Sequence, residues 1–589
     1  MQHLTEHDQL GNISLKDFIL VSPRSVQGLR VTASRAICTF PSRGCIYAKE
    51  NENEKTKSTQ DQAGKLGRRT TIKTILPTPP DDVEAASECQ RFSHAEIIMK
   101  KLPALLFLLC FTAATLLAQK YEPNWDSIDQ RATPEWFIEA RFGIFIHWGT
   151  YSVPAYAPVI PGQLAYAEWY WHAMTNGRYD PKANDLEKGT WAFHQKVFGA
   201  DLAYQNFAPQ FKAELFNPDH WADVFAGSGA KYVVLTSKHH EGFALWPSKE
   251  ASTTWGRPWN ALEIGPKQDL LGRLSDAVRR KSLRMGYYYS LYEWYNPLWL
   301  YNKPRYVTEH MFPQFKDLVT RYKPSVIFSD GEWEMSSADW RSPELLAWLF
   351  NESAIKNEVV INDRWGSDTR HRHGGYWTTE YTAGMSGIAH PWEENRGMGV
   401  SYGYNRAEDL SVYHTGRELV FILVDTVSRG GNLLLDIGPN ADGTIPVIME
   451  QRLKEIGDWM KINGEAIYGT KPWKNTRQWT AGEVPKIEYN KEFSSAYDVT
   501  KLIEKPSGGK ASIEAFFTAK GNDVYAILPH WSSHSFLIKD LNAAKSVALL
   551  GSPTLVKFKA VKSGLAIELP DLPDDLRAQP AWALKITLN

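Results

Sequence analysis

Six short stretches carry polar residues of the kind that end a buried strand at a reactive surface. They read His147-Trp148-Gly149, Lys238-His239-His240-Glu241-Gly242-Phe243, Tyr288-Tyr289-Ser290, Asp330-Gly331-Glu332-Trp333, Asn362-Asp363-Arg364-Trp365-Gly366 and Glu380-Tyr381. Together they supply carboxylates, imidazoles, and indole and phenol rings. That equipment suits a sugar: carboxylate and imidazole groups hydrogen-bond hydroxyls, while aromatic faces pack against the apolar C–H face of the ring. Glycoside hydrolysis needs two carboxyl groups, one to attack or activate water and one to protonate the leaving oxygen. Asp330 and Glu380 are placed to be those two. Taken singly, neither is decisive, since Asp330-Gly331 also reads as an ordinary turn after a strand. Glu332 and Glu334 compete for the carboxylate role or orient their neighbours, and Asp363 competes or anchors Arg364.

Other chemistries fit less well. Adjacent residues on a strand point to opposite faces, so His239 and His240 could share a metal only if the chain left strand geometry there. No second histidine and carboxylate cluster at metal spacing is evident, and neither a metal nor another cofactor is expected. The glycine-rich run 430–443 lacks the Gly-Lys-Ser/Thr ending of a phosphate loop and reads as a tight loop around a last strand. The formal net charge of -1 gives no electrostatic footprint for nucleic acid or an anionic membrane, so a neutral partner fits best.

Residues that converge in this way need a scaffold that gathers strand ends. From about residue 134 short apolar runs alternate with helical patterns, as in βα units around a parallel sheet. Strands are expected at 142–147, 232–236, 285–290, 326–329, 359–362, 376–379, 400–404 and 432–437, with helices such as 218–228, 270–281 and 446–463. Eight strands predict an α/β fold, a (β/α)8 TIM-like barrel whose site lies at the carboxyl ends of its strands. Beyond 472 only strands are expected, at 511–517, 523–529, 535–538, 546–550, 555–560, 565–569 and 581–588, which fits a β-sandwich. The reading is a catalytic barrel over 119–470 followed by a C-terminal β-sandwich over 471–589.

The N-terminal part is of another character. Of 23 tryptophans the first is Trp125. Met99-Lys100-Lys101, the apolar run 102–117 and Ala118 together describe a secretory signal peptide cleaved near Ala118. The run is shorter than the ~20 apolar residues of a membrane span, so no stable membrane insertion is expected. Residues 1–98 read as a disordered extension or a misassigned upstream start, and the protein as secreted or periplasmic. All four cysteines precede Gln119, which leaves the processed chain without a thiol and excludes cysteine catalysis and disulfide dependence.

Longer motifs carry a resemblance. WFIEARFGIFIHWGTYSVPA (136–155), KYVVLTSKHHEGFALWPS (231–248), SDGEWE (329–334), VINDRWG (360–366) and GGNLLLDIGPNADGTIP (430–446) closely resemble glycoside hydrolase family 29, the alpha-L-fucosidases, including the lysosomal type. The likeness runs from about Trp136 to Trp473, and the strand-rich remainder resembles that family's C-terminal β-sandwich. It implies a retaining exo-glycosidase acting on terminal alpha-L-fucose of an oligosaccharide or glycoconjugate, with Asp330 as the nucleophile and Glu380 as the general acid/base. It further implies that His147, Glu168, His239, His240 and Tyr288 hold fucose hydroxyls, that Arg364 lies close to the nucleophile, and that Phe145 and Tyr402 face the C5 methyl group. The carboxyl groups should then lie roughly 5 to 5.5 Å apart. A fucose-binding lectin on an inactive barrel has no need of both carboxylates. A related galactosidase would have to admit a 6-hydroxyl against Phe145 and Tyr402. Linkage preference and oligomeric state, a homo-oligomer included, are left open by the sequence.

Overall fold

The computed structural model describes residues 120–489, 497–505, 508–532 and 534–589. The expected N-terminal extension and signal peptide, and all four cysteines, lie outside the described residues. Eight parallel strands form one sheet: β1 (Phe142–Ile146), β2 (Tyr232–Lys238), β3 (Arg284–Ser290), β4 (Val326–Asp330), β5 (Val360–Ile361), β6 (Trp377–Glu380), β7 (Trp392–Gly397) and β8 (Asn432–Ile437). Their order is β5-β4-β3-β2-β1-β8-β7-β6, so β1 sits between β2 and β8 as a closed barrel requires. The sequence FGIFI of β1 is buried throughout, which explains its unbroken apolar run: a barrel strand has the lumen on one side and helices on the other.

The ladder is complete except at the seam between β5 and β6. There the Tyr376 N–H donates to the Ile361 carbonyl at 3.1 Å. Gly374 and Gly375 make the approach possible. Gly374 has φ +96°, and a Cβ on it would collide with the Asn362 carbonyl. Inside the barrel Phe145, Tyr232, Val234, Tyr288, Phe328, Val360, Tyr376 and Leu434 form one cluster. Outside it, helices such as α1 (Pro218–Gly227) and α2 (Leu270–Arg280) cover the strands. In α2 the buried Leu270, Leu271, Leu274, Ala277 and Val278 trace one helical stripe, and Asp269 caps the first turn by accepting from the Gly272 N–H. Helix α3 (Gly416–Ser428) is buried nearly all round because it has the barrel on one side and the C-terminal sheet on the other.

The seventh strand is not the one expected. Residues 400–404 are a loop, and β7 is Trp392–Gly397, with the sequence WEENRG. It carries no apolar signature because its buried polar groups find partners. Tyr232 donates to the lumen-facing Glu393, Thr379 donates to Glu394, and Arg396 pairs with Glu394 at 2.7 Å. The remaining barrel strands lie within two residues of their expected ends.

After the helix Val447–Asn463 the chain runs mainly in antiparallel strands, with short helices at Val499–Leu502 and Asp574–Arg577. A five-stranded sheet contains β9 (Lys471–Trp479), β10 (Ile513–Lys520), β11 (Asp523–Leu528), β13 (Ser546–Leu549) and β16 (Trp582–Thr587). A three-stranded sheet contains β12 (Ser535–Lys539), β14 (Lys557–Val561) and β15 (Gly564–Glu568). Strand β11 shows the period of two: Val524, Ala526 and Leu528 enter the cluster shared with Ile538, Leu565 and Ile567, while Tyr525 and Ile527 join the larger cluster of the barrel and its helices. Sequence reading had no counterpart for β9. It is an edge strand containing Pro472 and is largely half-exposed, so neither apolar alternation nor length marks it.

Candidate active site

At the carboxyl ends of the strands two carboxylates meet one guanidinium. Asp330 ends β4, and its Oδ1 accepts from Arg364 Nη1 at 2.7 Å, while its Oδ2 accepts from the Tyr288 hydroxyl at 2.8 Å. His240 Nε2 stands 3.5 Å from the same Oδ2. Arg364 Nη2 reaches across the seam to Oε2 of Glu380, the last residue of β6, at 3.1 Å. The other oxygen, Oε1, accepts from the Tyr166 hydroxyl at 2.9 Å. Asp330 and Glu380 are only 7% and 8% exposed, so these contacts lie where water screens them weakly. Burial raises the pKa of Asp330, but the charge and hydrogen bonds of Arg364 outweigh it and hold the carboxyl below its usual range.

Arg364 is itself held. Its Nε donates to Thr378 Oγ1 at 3.0 Å, and Thr378 donates onward to Asp363 Oδ1 at 2.7 Å. Asp363 therefore orients the arginine through Thr378. Of the rival carboxylates, Glu332 accepts from Arg370 Nε at 2.8 Å, and the half-exposed Glu334 pairs with Lys303 at 3.4 Å.

Three histidines stand beside the Asp330 and Glu380 pair. The ring of His147 stacks on Tyr402 with centroids 4.8 Å apart, and its Nδ1 shares a 2.6 Å hydrogen bond with Asp436 Oδ1. His239 stacks on Tyr288 at 5.5 Å and lies 4.1 Å from the His240 ring. The Ser290 hydroxyl donates its proton to the Tyr292 carbonyl, so it accepts from His240 Nδ1–H at 2.7 Å. That fixes the tautomer and leaves Nε2 as an acceptor for a hydroxyl. Glu168 Oε2 accepts from the Gly403 N–H at 2.8 Å. Phe145 meets Tyr402 edge-on at 6.2 Å, and Asn395 holds the Tyr402 hydroxyl at 2.6 Å. The structure thus brings all ten sequence-predicted residues to one mouth. Among the described residues no group of three or more His, Cys, Asp or Glu is arranged to hold a metal ion.

Two contributors, Asp436 and Tyr166, had escaped notice. Asp436 could have been found, since a carboxylate inside the run NLLLDI is costly unless partnered. Tyr166 carries no such signal, because it lies in a long loop.

Burial also sets the pH dependence of stability. It pushes Glu168, Glu241 and Glu393 from 4.5 up to about 8. A raised folded-state pKa means that the stability these groups contribute is fully present below about 4.5 and is lost as pH rises through about 8. Burial lowers His239 from 6.5 to about 3, so its contribution is present above about 6.5 and is lost as pH falls toward 3. Thermal unfolding followed from pH 4 to 9 should therefore give a Tm that is highest near pH 4.5, above which the three carboxyl groups outweigh the one imidazole, and that declines toward pH 8. Glu393→Gln, which cannot ionise, should flatten the alkaline decline, and a parent profile level from pH 5 to 8 would contradict this account.

The likenesses to known proteins point one way. Residues 108–465 match the family model described as alpha-L-fucosidase, and residues 510–587 match that of the alpha-L-fucosidase C-terminal domain. The chain is 38% identical to tissue alpha-L-fucosidase of Rattus norvegicus, over 82% of this chain and 96% of the relative. It is 43% identical to alpha-L-fucosidase of Dictyostelium discoideum, over 63% of this chain and 79% of the relative. Among solved structures it resembles Thermotoga maritima alpha-fucosidase in complex with fucose, with 32% identity, a TM-score of 0.61, and coverage of 80% of this chain and 100% of that one. The chain belongs to the alpha-L-fucosidase family of glycoside hydrolases.

Proposed function

We propose that the protein releases terminal alpha-L-fucose from fucosylated oligosaccharides or glycoconjugates by a retaining double displacement, with Asp330 as nucleophile and Glu380 as general acid/base. The observation that carries the assignment is the division of Arg364 between the two carboxylates. Asp330 has both oxygens engaged by donors and a lowered pKa, which suits a group that must attack as an anion. Attack on the anomeric carbon expels the leaving oxygen, which takes the proton of Glu380. Glu380 then removes a proton from water as that water displaces the sugar from Asp330. One arginine holding an oxygen of each carboxylate supports the short spacing that retention requires. The neutral imidazoles of His147, His239 and His240, with Glu168 and Tyr288, suit a polyhydroxylated ring, and Phe145 with Tyr402 suits its methyl group.

We further read the chain as exported through the segment 99–118. No helix among the described residues is long and apolar enough to cross a membrane.

The test is turnover of 4-nitrophenyl alpha-L-fucoside by the chain starting at Gln119, with the first-formed sugar followed by NMR. Alpha-fucose appearing first supports retention, whereas beta-fucose appearing first refutes it. A folded protein that binds fucose without turnover would be a lectin. Tyr166 supplies a further check, because it touches Glu380 alone of the two carboxylates. Tyr166→Phe should lower kcat about tenfold, the worth of one hydrogen bond to a charged group. The loss should grow as the leaving group becomes more basic, and an equal loss across leaving groups would show that Tyr166 acts on something other than proton donation.

A further inference from the structure

Four aspartates are buried among the described residues, and their carboxyl groups are not held alike. Asp330 has Arg364 on one oxygen and Tyr288 on the other. Asp425 has Arg477 on one, and Arg429 with Tyr497 on the other. Asp363 accepts from Thr378 at Oδ1 and from the His371 N–H at Oδ2. Asp436 differs from all three. Its Oδ1 meets His147 Nδ1 at 2.6 Å, and its Oδ2 is buried with no donor among the described residues.

That asymmetry bears on charge. An ionised carboxylate can only accept, and one buried with an oxygen unpaired loses its hydration without compensation. A neutral carboxyl has less to lose, and its O–H can supply the hydrogen that the contact with His147 needs. The surroundings favour the neutral form as well. Asp436 interacts with the titratable His147, Glu168, Tyr151 and Tyr381, none of them a lysine or arginine. Burial, followed by the neighbouring Glu168, raises its pKa well above the usual aspartate range, and burial likewise keeps His147 neutral.

The direction of this one hydrogen bond decides what His147 offers the sugar. With Asp436 donating to Nδ1, the single proton of the neutral imidazole must sit on Nε2. His147 makes no other hydrogen bond among the described residues, so its Nε2–H is left for a ligand. His240 is set the other way: its Nδ1–H is held by Ser290, and its Nε2 accepts. We propose that Asp436 is a positioning residue acting as a neutral acid, which donates to His147 Nδ1 so that Nε2–H gives a hydrogen bond to a fucose oxygen, while His240 Nε2 takes the hydrogen of a fucose hydroxyl. A hydroxyl has one hydrogen and two lone pairs, so imidazoles of opposite and fixed sense restrict how the sugar can orient. The assignment of Nε2–H to a sugar oxygen rests on the fucosidase reading of the mouth.

The test compares Asp436→Ala and Asp436→Asn with the parent protein, using kcat/KM on 4-nitrophenyl alpha-L-fucoside as a function of pH. Asp436→Ala should lower kcat/KM about fivefold, the worth of one neutral hydrogen bond. Asp436→Asn should recover most of that loss, because its amide N–H can donate where the carboxyl O–H did. The limbs of its pH profile should fall where those of the parent fall, since one neutral side chain replaces another. Removal of a carboxylate would instead move them to lower pH, because a lost negative charge makes neighbouring groups easier to deprotonate. Limbs so displaced, or an Asp436→Asn no more active than Asp436→Ala, would overturn the proposal. Should neither variant fold, the ¹⁵N NMR spectrum of the parent labelled at histidine decides, with the His147 resonances identified by their loss in His147→Gln. The Nε2–H form supports the proposal and the Nδ1–H form refutes it. A parent inert on the fucoside would overturn the fucosidase reading, and the spectrum would still settle the direction of the Asp436–His147 bond.

Discussion

Asp330→Ala is expected to lower kcat on 4-nitrophenyl alpha-L-fucoside by at least about 10⁴-fold, since removal of a nucleophile abolishes the covalent route and leaves only binding and electrostatics. The fold should survive, because the two donors that lose their acceptor keep other contacts. Arg364 retains Glu380 and Thr378, and Tyr288 keeps its packing against Phe328 and His239. The space vacated by the carboxylate lies on the face of the sugar opposite the leaving group, so azide entering there should restore turnover and yield beta-L-fucosyl azide. Recovery of the alpha anomer, or near-normal activity without azide, would remove Asp330 from the role and return attention to Glu332, its nearest acidic neighbour in sequence.

Glu380→Ala should behave differently in a way that identifies the second role. Loss of a general acid/base costs about 10²- to 10⁴-fold, but the cost depends on how much the leaving group needs a proton. Nitrophenolate leaves readily, so the first step should persist and the fucosyl-enzyme should accumulate as a burst. Azide then attacks that intermediate from the face the leaving group occupied and gives alpha-L-fucosyl azide. Oligosaccharides, whose leaving alkoxides are far more basic, should show the full loss without rescue. If aryl and oligosaccharide substrates lose activity equally, Glu380 is not the proton donor. Its contacts with Arg364 and Tyr166 would then be read as positioning.

The parts of this molecule that were legible in the sequence are those in which one physical demand dominates. Strands such as β1 and β8 are buried on both faces and so are written in apolar residues, and the polar residue following such a run marks the mouth. His147 and Asp330 were legible for that reason, whereas Glu380 follows Trp377-Thr378-Thr379 and was singled out by family likeness. Strand β7 was not, because its requirements are met pair by pair: Glu393 is acceptable only opposite Tyr232, and Glu394 only opposite Thr379 and Arg396. A sequence does not display such partners, since they come from elements far apart along the chain. The same holds for Tyr166, whose hydroxyl meets Glu380 across 214 residues of chain. Tyr402 was chosen by family likeness and assigned to a strand, yet it reaches the mouth from a loop that returns after β7.

The seam between β5 and β6 ties barrel closure to chemistry. Elsewhere neighbouring staves are fastened by rows of amide hydrogen bonds that are indifferent to side chains; here much of the fastening passes through Arg364, Thr378 and Asp363. The gap between the two carboxylates is accordingly as wide as the seam is open. A loosening at 366–375 that left the rest of the barrel intact would separate proton donor from nucleophile without touching either. Residues that never meet substrate could therefore set the rate, and lengthening or shortening this one turn is a route by which turnover could drift while His147, held by Asp436 and Tyr402, stayed in place.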